Sequence, residues 1–429
     1  MKNILTLVSI LLITFQAVSA QTKTWSLQDC LDYALENNIS LQQTRNSYLS
    51  GLEDTKEAKA SMLPTVSASV SQGLSNYPSG DPSNSYSGSY GLSAGLTLWN
   101  GGRLRNSLKQ SRVQNSIDSL SLEAGIIDIR ISIVQAYIQC LYAKESITVN
   151  EGTVESSKAT MDRAEEMWKA GSVSKVDYAQ LQSQYYSDLY QLTSSQVSLD
   201  NYLLTLKQLL ELDILEEITL SDMEVSEEEV LALLPPKADV YANALDAMPE
   251  IASSELSITS SELSLKQARS GYAPTLSANA GVSTSNGNHT GKSFGDQISD
   301  NLNENVGLSL SIPIFSGRSN KTSVRKAKIS IENAKLQQLD AEKSVLKDVE
   351  GTYLDVLSAQ SQYIAARENE AYAAQSYELT LEQFGQGIKN SVDLITAKND
   401  YVSAQLSLLQ SKYTAYMNIK ILDILQGKI

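Results

Sequence analysis

The sequence predicts a mainly α fold with a small membrane β-barrel portion, written twice along the chain and completed by a homotrimer. Three observations carry that expectation. Blocks of residues recur in one order at a nearly constant offset, short period-2 segments come in pairs, and a long heptad-spaced stretch follows each pair.

The start of the chain reads as a signal peptide over residues 1–20. Lys2 is followed by an apolar stretch from Ile4 to Phe15, and Val18-Ser19-Ala20 places small residues before Gln21. That stretch is too short to span a bilayer as an ordinary helix. No Cys follows the cleavage point, so a lipoprotein anchor is not indicated. Without Lys2, 33 basic residues face 49 acidic ones, a net charge of −16. A polyanion without a basic tract is unsuited to nucleic acid. One His among 429 residues leaves little room for a His-based active site or metal centre, and no cofactor or catalytic group is expected.

The duplication is explicit. Ala34–Leu41 matches Ala244–Ile251, and Ala58–Thr65 matches Ala268–Thr275, both at offset 210. Leu98-Trp99-Asn100-Gly101 matches Ile314-Phe315-Ser316-Gly317 at offset 216. Trp168, Gly171 and Val176-Asp177 match Phe384, Gly387 and Val392-Asp393 at the same offset. The repeats are therefore expected at 21–212 and 241–429. The linker between them, 213–240, contains an acidic stretch without a basic residue from Asp213 to Glu229, then Pro235-Pro236.

Each repeat opens with a helix. Ser26 and Asp29 read as a capping box, and the helix stops before Pro64, whose predecessor is pushed out of helical geometry. Two strands follow in each repeat, at about 64–74 and 86–100 and at about 274–284 and 304–315. Val66, Ala68 and Val70 alternate with Ser67, Ser69 and Ser71, and Tyr90 to Leu98 alternate with Gly91 to Thr97. In the second repeat Leu276, Ala278, Ala280 and Val282 are apolar, as are Val306, Leu308, Leu310, Ile312 and Ile314. One face is apolar and the other is small and uncharged. Gly-, Ser- and Asn-rich stretches between paired strands read as long solvated loops.

Then the rhythm becomes helical. Leu120, Ala124, Ile127, Ile131, Val134, Ile138 and Leu141 are spaced 4-3-4-3-4-3. The stretch from Arg103 to Met167 would be roughly 97 Å long as one helix at about 1.5 Å per residue. Each long helix turns back at a glycine, Gly171 or Gly387, to give helical hairpins with tips near 168–177 and 384–393 and coiled-coil packing.

Strands of about ten residues with this alternation suit an outer-membrane barrel. They also suit a soluble antiparallel sheet, but an export signal and the shortage of sequence to cover the apolar face favour the membrane. Four strands cannot close a barrel. Two chains would give about eight strands and a filled interior, whereas three give about twelve and a channel. Ser, Thr, Gly and Asn cannot fill a lumen, so the trimer is the better physical answer.

Taken together, the duplication, the Leu63-Pro64 and Ala273-Pro274 turns, Leu98-Trp99-Asn100-Gly101-Gly102-Arg103, Pro313-Ile314-Phe315-Ser316-Gly317-Arg318 and the paired Gly-x-x-x-x-Val-Asp tips make a pattern. In that order, the chain resembles the TolC-like outer-membrane efflux proteins over nearly its whole mature length. The resemblance implies a homotrimer with one shared twelve-stranded barrel, a twelve-helix periplasmic tunnel and an equatorial belt. It implies a passive exit duct for an efflux or type I secretion system, docked on a periplasmic adaptor protein and an inner-membrane pump, without chemistry of its own.

The same resemblance places a periplasmic gate. An Asp ring position falls on Asp393, a second ring position on Thr396, and the hairpin partner on Asp177. The family's gate Tyr falls on Phe384, which has no hydroxyl, and its Arg on Lys389, which cannot form a bidentate fork. A closed state with fewer or different tip bonds follows. Asp393 and Asp177 also suit helix capping, which is compatible with gating. Gly171 and Gly387 are the turns expected at adaptor docking. Pro64, Pro274, Trp99, Phe315, Gly101 and Gly317 mark the barrel junction, where Trp99 and Phe315 suit an interfacial aromatic belt in contact with outer-membrane lipid.

His289 reads as a solvated loop residue. Cys30 and Cys140 lie at similar depth along their helices; the compartment permits a disulfide, and two unpaired buried thiols are the preferred state. A pore-free periplasmic coiled-coil scaffold leaves the alternating strands unexplained, and a secreted hydrolase needs a constellation the chain does not display. If three Asp393 carboxylates share one narrow axis, they repel and select cations. Asp393→Asn is then expected to weaken cation selectivity and divalent-ion block in single-channel recordings; unchanged selectivity would refute the ring.

Overall fold

Helices and strands alternate as the duplication demands. The computed structural model describes residues 24–76, 78–79, 84–288 and 291–428. The expected signal peptide and His289 lie outside the described residues. The elements in order are β1 (Thr24–Trp25), α1 (Leu27–Asn37), α2 (Ile39–Ala60), β2 (Thr65–Asn76), β3 (Asn84–Trp99), α3 (Arg103–Lys169) and α4 (Lys175–Leu210). The linker adds β4 (Thr219–Leu220) and α5 (Glu227–Val230). The second repeat supplies α6 (Lys237–Ala247), α7 (Pro249–Ser270), β5 (Thr275–Gly287), α8 (Phe294–Asp300), β6 (Asn303–Ser311), α9 (Ser319–Gly385) and α10 (Ser391–Leu425).

The first helix of each repeat is broken once. At Asn38 the backbone is extended, and its side chain caps α2 by accepting from the Leu41 amide while donating to the Leu209 carbonyl at 3.0 Å. At the matching place Met248 is extended because Pro249 follows, and proline is suited to the first helical turn. The capping box at Ser26 and Asp29 is present in both directions.

The chain forms two compact units. One comprises residues 43–124 and 249–344 and holds a four-stranded antiparallel sheet in the order β2-β3-β5-β6. Register gathers side chains by kind. Val66, Ala94, Ala280 and Val306 form one row and Leu96, Ala278 and Leu308 another, while Ser67, Ser93, Gly281 and Asn305 share a row on the opposite face. The apolar rows are uncovered, with Val306 89% and Leu308 72% exposed.

Three features depart from simple alternation. A bulge between Thr97 and Trp99 shifts the parity of β3, so Trp99, not Leu98, stands in the apolar row opposite Leu276. β6 ends at Ser311, short of the expected 315, because Pro313 has no amide to donate to a ladder. The second loop is not wholly irregular: it contains α8, capped by Ser293 through the Asp296 amide. α8 seats on the apolar-row side of the sheet, where Thr284 Oγ1 donates to the Ile298 carbonyl at 2.7 Å and Phe294 meets Tyr90 edge-on.

The described residues of the other unit are 24–42, 125–248 and 345–428, and they are mainly helical. Its core gathers Trp25, Leu31, Ile133, Tyr137, Leu206, Leu210, Tyr413 and Tyr416. α3 contains an 18-residue window of mean hydropathy 1.3. Among its residues, Ile133, Val134, Tyr137 and Ile138 are buried in this core. The acidic linker is not merely solvated. Leu220, Val225 and Val230 enter the core, β4 pairs with β1, Arg367 bonds Glu227, and Gln360 Nε2 donates to the Val230 and Ala232 carbonyls. Cys30 and Cys140 are both buried thiols, not joined in a disulfide, and burial pushes the Cys140 thiol up to about 12.

Candidate functional site: hairpin tips and barrel junction

Both hairpins turn by the same local chemistry. Gly171 has φ +78° and Gly387 φ +74°, a conformation glycine adopts without a Cβ penalty. In the first tip the Gly171 amide donates to the Trp168 carbonyl and the Ser172 amide to that of Met167. In the second, Gly387 donates to Phe384 and Ile388 to Gln383, so both are Schellman closures. The return helices are capped by Ser174, through the Asp177 amide at 3.1 Å, and by Asn390, through the Asp393 amide at 2.9 Å. Asp177 and Asp393 therefore stand third in the first turn, where their charge suits the helix N-terminus; they are not the caps themselves.

The gate candidates divide into two groups. Asp177 links the hairpins: its Oδ1 accepts from Ser391 Oγ at 2.6 Å, its Oδ2 from Ser174 Oγ at 2.6 Å, and Ser391 Oγ also lies 2.6 Å from Gln180 Oε1. The Ser174 and Ser391 hydroxyls hold its carboxyl below the usual aspartate range. Lys389 pairs instead with Asp393 of its own tip, 3.5 Å away, and both side chains are more than two-fifths exposed. Thr396 is exposed and returns its hydroxyl to the Val392 carbonyl.

Phe384 belongs to neither polar set. It is 3% exposed and packs with Ala164, Leu181 and Leu394, so that α9, α3, α4 and α10 contribute one residue each. Deeper still, Lys398 of α10 bonds Asp188 of α4 and Ser157 of α3. Side-chain exposures of 7% and 10% make this the most buried ion pair among the described residues. Burial pulls the Lys398 ammonium below its usual value, with Asp188 acting in the opposite direction. Neither Ser391 nor Lys398 stands out in the sequence. Their repeat counterparts are Lys175 and Gln182, so the duplication gives no signal for either.

The junction residues come together around glycine. Gly101 has φ +66°, and a Cβ there would lie 2.5 Å from Ala273 Cβ, while Ser270 Oγ donates to the Gly101 carbonyl. Pro64 and Pro274 each precede a strand. Gly317, the counterpart of Gly101, has φ +53° and open space around its Cβ position. Leu63, the counterpart of Ala273, is 63% exposed. Trp99 and Phe315 are both exposed. Among the described residues no three His, Cys, Asp or Glu side chains are placed to share a metal ion.

A profile of the outer membrane efflux protein family matches residues 30–211 and 240–422, one match on each repeat. The chain belongs to the outer membrane efflux protein family. It is 22% identical over 420 residues to the outer membrane protein TolC of Escherichia coli K12, covering 95% of this chain and 83% of that protein. It is 20% identical over 401 residues to the outer membrane efflux protein BepC of Brucella suis biovar 1, covering 94% and 84%. The solved CmeC outer membrane channel of Campylobacter jejuni shares the fold with a TM-score of 0.79 at 20% identity, over 96% of this chain and 90% of that one. The fold is TolC-like, and the place of this outer-membrane efflux protein is the outer membrane.

Two expectations follow for the tip. Phe384→Ala empties a four-helix contact and is expected to cost about 3–5 kcal/mol, whereas Lys389→Ala breaks an exposed pair and should cost at most about 1 kcal/mol. Guanidinium melts of detergent-solubilised protein compare the two. Because the folded value of Asp177 is depressed, its contribution is present above the ordinary 3.8 and is lost as pH falls through the depressed value. Acid titration of wild type against Asp177→Asn, followed by fluorescence of the Trp168–Tyr178 stack, should show a transition that the variant lacks.

Proposed function

We propose that the protein acts as a homotrimeric exit duct, in which the four strands of each chain join one twelve-stranded barrel and the hairpins form a periplasmic tunnel closed at its tips. The observation that carries this reading is the asymmetry of the junction. Gly101 is sealed by Ala273 from the other repeat of the same chain, while Gly317 and Leu63 stand open. A neighbouring chain that offers its Leu63 to Gly317 repeats the first contact. The same step pairs the free edge of β6 with the free edge of β2 next door, and head-to-tail repetition closes a ring.

Sheet chemistry supports the setting. Lipid covers the apolar rows without unsatisfied backbone once the edges are paired, and the opposite face of Ser, Thr, Gly and Asn leaves the lumen wide and wet. With Trp99 brought to the apolar row by the bulge, it serves as an interfacial anchor. In the helical unit, Gly171 and Gly387 mark the tips for a periplasmic adaptor coupled to an inner-membrane pump. The duct is passive: no catalytic step is assigned to the chain, and Asp393 with Thr396 narrows its mouth as a cation-selective constriction.

Light scattering of the mild-detergent extract, corrected for detergent, is expected to give a mass of three chains, and planar-bilayer recordings a single conductance per trimer. A monomer released from the periplasm in soluble form would overturn the reading.

A further inference from the structure

The apolar face of the sheet stops short of its outer end. Counted from the row of Trp99 and Leu276, the paired side chains on β3 and β5 are wholly apolar up to Leu92 and Val282. Beyond them the same face carries Tyr90 with Thr284, then Gly88 with Asn286, and on β6 Glu304 already stands opposite Val282. A membrane barrel presents an apolar band about 25 Å tall between its aromatic girdles. At about 3.4 Å per residue and a strand tilt of about 40°, that height takes about ten residues of strand, from Leu276 to Asn286. The strands therefore leave the outermost part of the band without apolar cover.

That part is where α8 seats. Thr284 Oγ1 donates to the Ile298 carbonyl, the Gly287 amide to Gln297 Oε1 at 2.7 Å, and Asn301 Nδ2 to the Ser285 carbonyl at 2.7 Å. β6 begins only at Asn303, opposite Ser283, so the bonds to Gly287 and Ser285 close β5 beyond the end of its neighbour. Gln297 is 6% exposed and spends its Nε2 on the Lys292 carbonyl. Edge amides and carbonyls facing water are solvated, whereas at a hydrocarbon boundary they must be closed from within the protein. The helix is also two-sided. Phe294, Ile298 and, just past its end, Leu302 are spaced by four, with Asp296 and Asp300 on the opposite side. Phe294 is 57% and Leu302 54% exposed, so this chain leaves the apolar stripe uncovered.

We infer that α8 is a lipid-contact helix: Phe294, Ile298 and Leu302 meet the acyl chains at the boundary of the outer leaflet and complete the apolar band, while Asp296 and Asp300 face the water above it. This rests on the barrel reading above. Lipid is the partner because α8 stands on the apolar-row side of β3 and β5, the face that a closed barrel turns to the bilayer.

Spin labels test the contact. Phe294→Cys, Asp296→Cys and Leu92→Cys are labelled one at a time in the full chain and reconstituted in phosphatidylcholine vesicles; Cys30 and Cys140 are buried, and the unsubstituted protein measures any label they take. Accessibility to oxygen, which partitions into hydrocarbon, is compared with accessibility to a water-soluble nickel chelate. Labels at Phe294 and Leu92 are expected to favour oxygen severalfold more than the label at Asp296. A Phe294 label as open to nickel as the Asp296 label, with Leu92 still favouring oxygen, would overturn the lipid contact and leave the barrel intact. Closure of the Phe294 label to both reagents would put a neighbouring chain over α8 and overturn it equally. A Leu92 label open to nickel would instead overturn the lipid-facing sheet beneath the inference. Because cysteine removes the ring, Phe294→Trp supplies a second measurement. Its added fluorescence is expected to fall severalfold in vesicles of brominated phosphatidylcholine, and emission unmoved by bromine would count against the contact.

Discussion

A four-stranded sheet with an uncovered apolar face and two free edges is the constraint on which the remaining structure depends. Edge strands present unpaired amides and carbonyls, and in a bilayer no water is available to satisfy them. Several details of the chain read as answers to that problem. Register collects the apolar side chains into rows on one face and the small polar ones on the other. The bulge near Leu98 turns Trp99 into the apolar set at the end of β3. Pro313 ends β6 cleanly, before the glycine turn into α9. Gly101 allows one repeat to dock against the next within the chain, and Gly317 presents the same opportunity outward.

In the hairpins, magnitudes separate what holds the tip from what merely decorates it. Within this chain Lys389 faces Asp393 of its own tip, and both are solvated. Exposed pairs of this sort contribute a few tenths of a kcal/mol, up to about 1. Phe384 does more by filling the contact of four helices than a surface cation does by facing a neighbour one turn away. The linker divides its labour in the same way: its carboxylates lie in water, while Leu220, Val225 and Val230 fasten it to the helical core.

Much of this is legible in the sequence, and the reasons are local. Strands show themselves through period-2 alternation, and the long helices through heptad spacing, because each pattern reflects one face meeting one environment. Gly171 and Gly387 announce the turns, since a positive φ at a helix end all but selects glycine. The break at Asn38 is hidden, because an asparagine within a helical rhythm carries no fixed meaning until Leu209 and Leu41 are brought beside it. α8 is hidden in a Gly/Ser/Asn-rich stretch for the same reason: Tyr90 and Thr284, distant in sequence or set on another strand, supply the surface it seats on. The gate candidates are only half legible. Asp177 can be found from the repeat, but its partner Ser391 and the deeper Lys398–Asp188 pair depend on contacts between positions more than 200 residues apart.

Those unrecognised residues share a property that bears on assembly. Two similar hairpins per chain pose a pairing problem, because a hairpin from the first repeat could pack on another of its own kind as readily as on one from the second. The places where the repeats diverge remove that freedom. In the first hairpin stand the acceptors Asp177 and Asp188; in the second, the donors Ser391 and Lys398. Asp188 corresponds to Ala404 and Lys398 to Gln182, so the buried ion pair cannot form between like hairpins. Two first hairpins packed in the same way would bury Asp188 against Gln182, and two second hairpins would bury Lys398 against Ala404, each leaving a charge without a charged partner, a heavy penalty in a desolvated contact. Where the repeats diverge, a few charge-bearing residues make the two hairpins complementary, so that this buried contact joins a first hairpin to a second and not to another of its own kind.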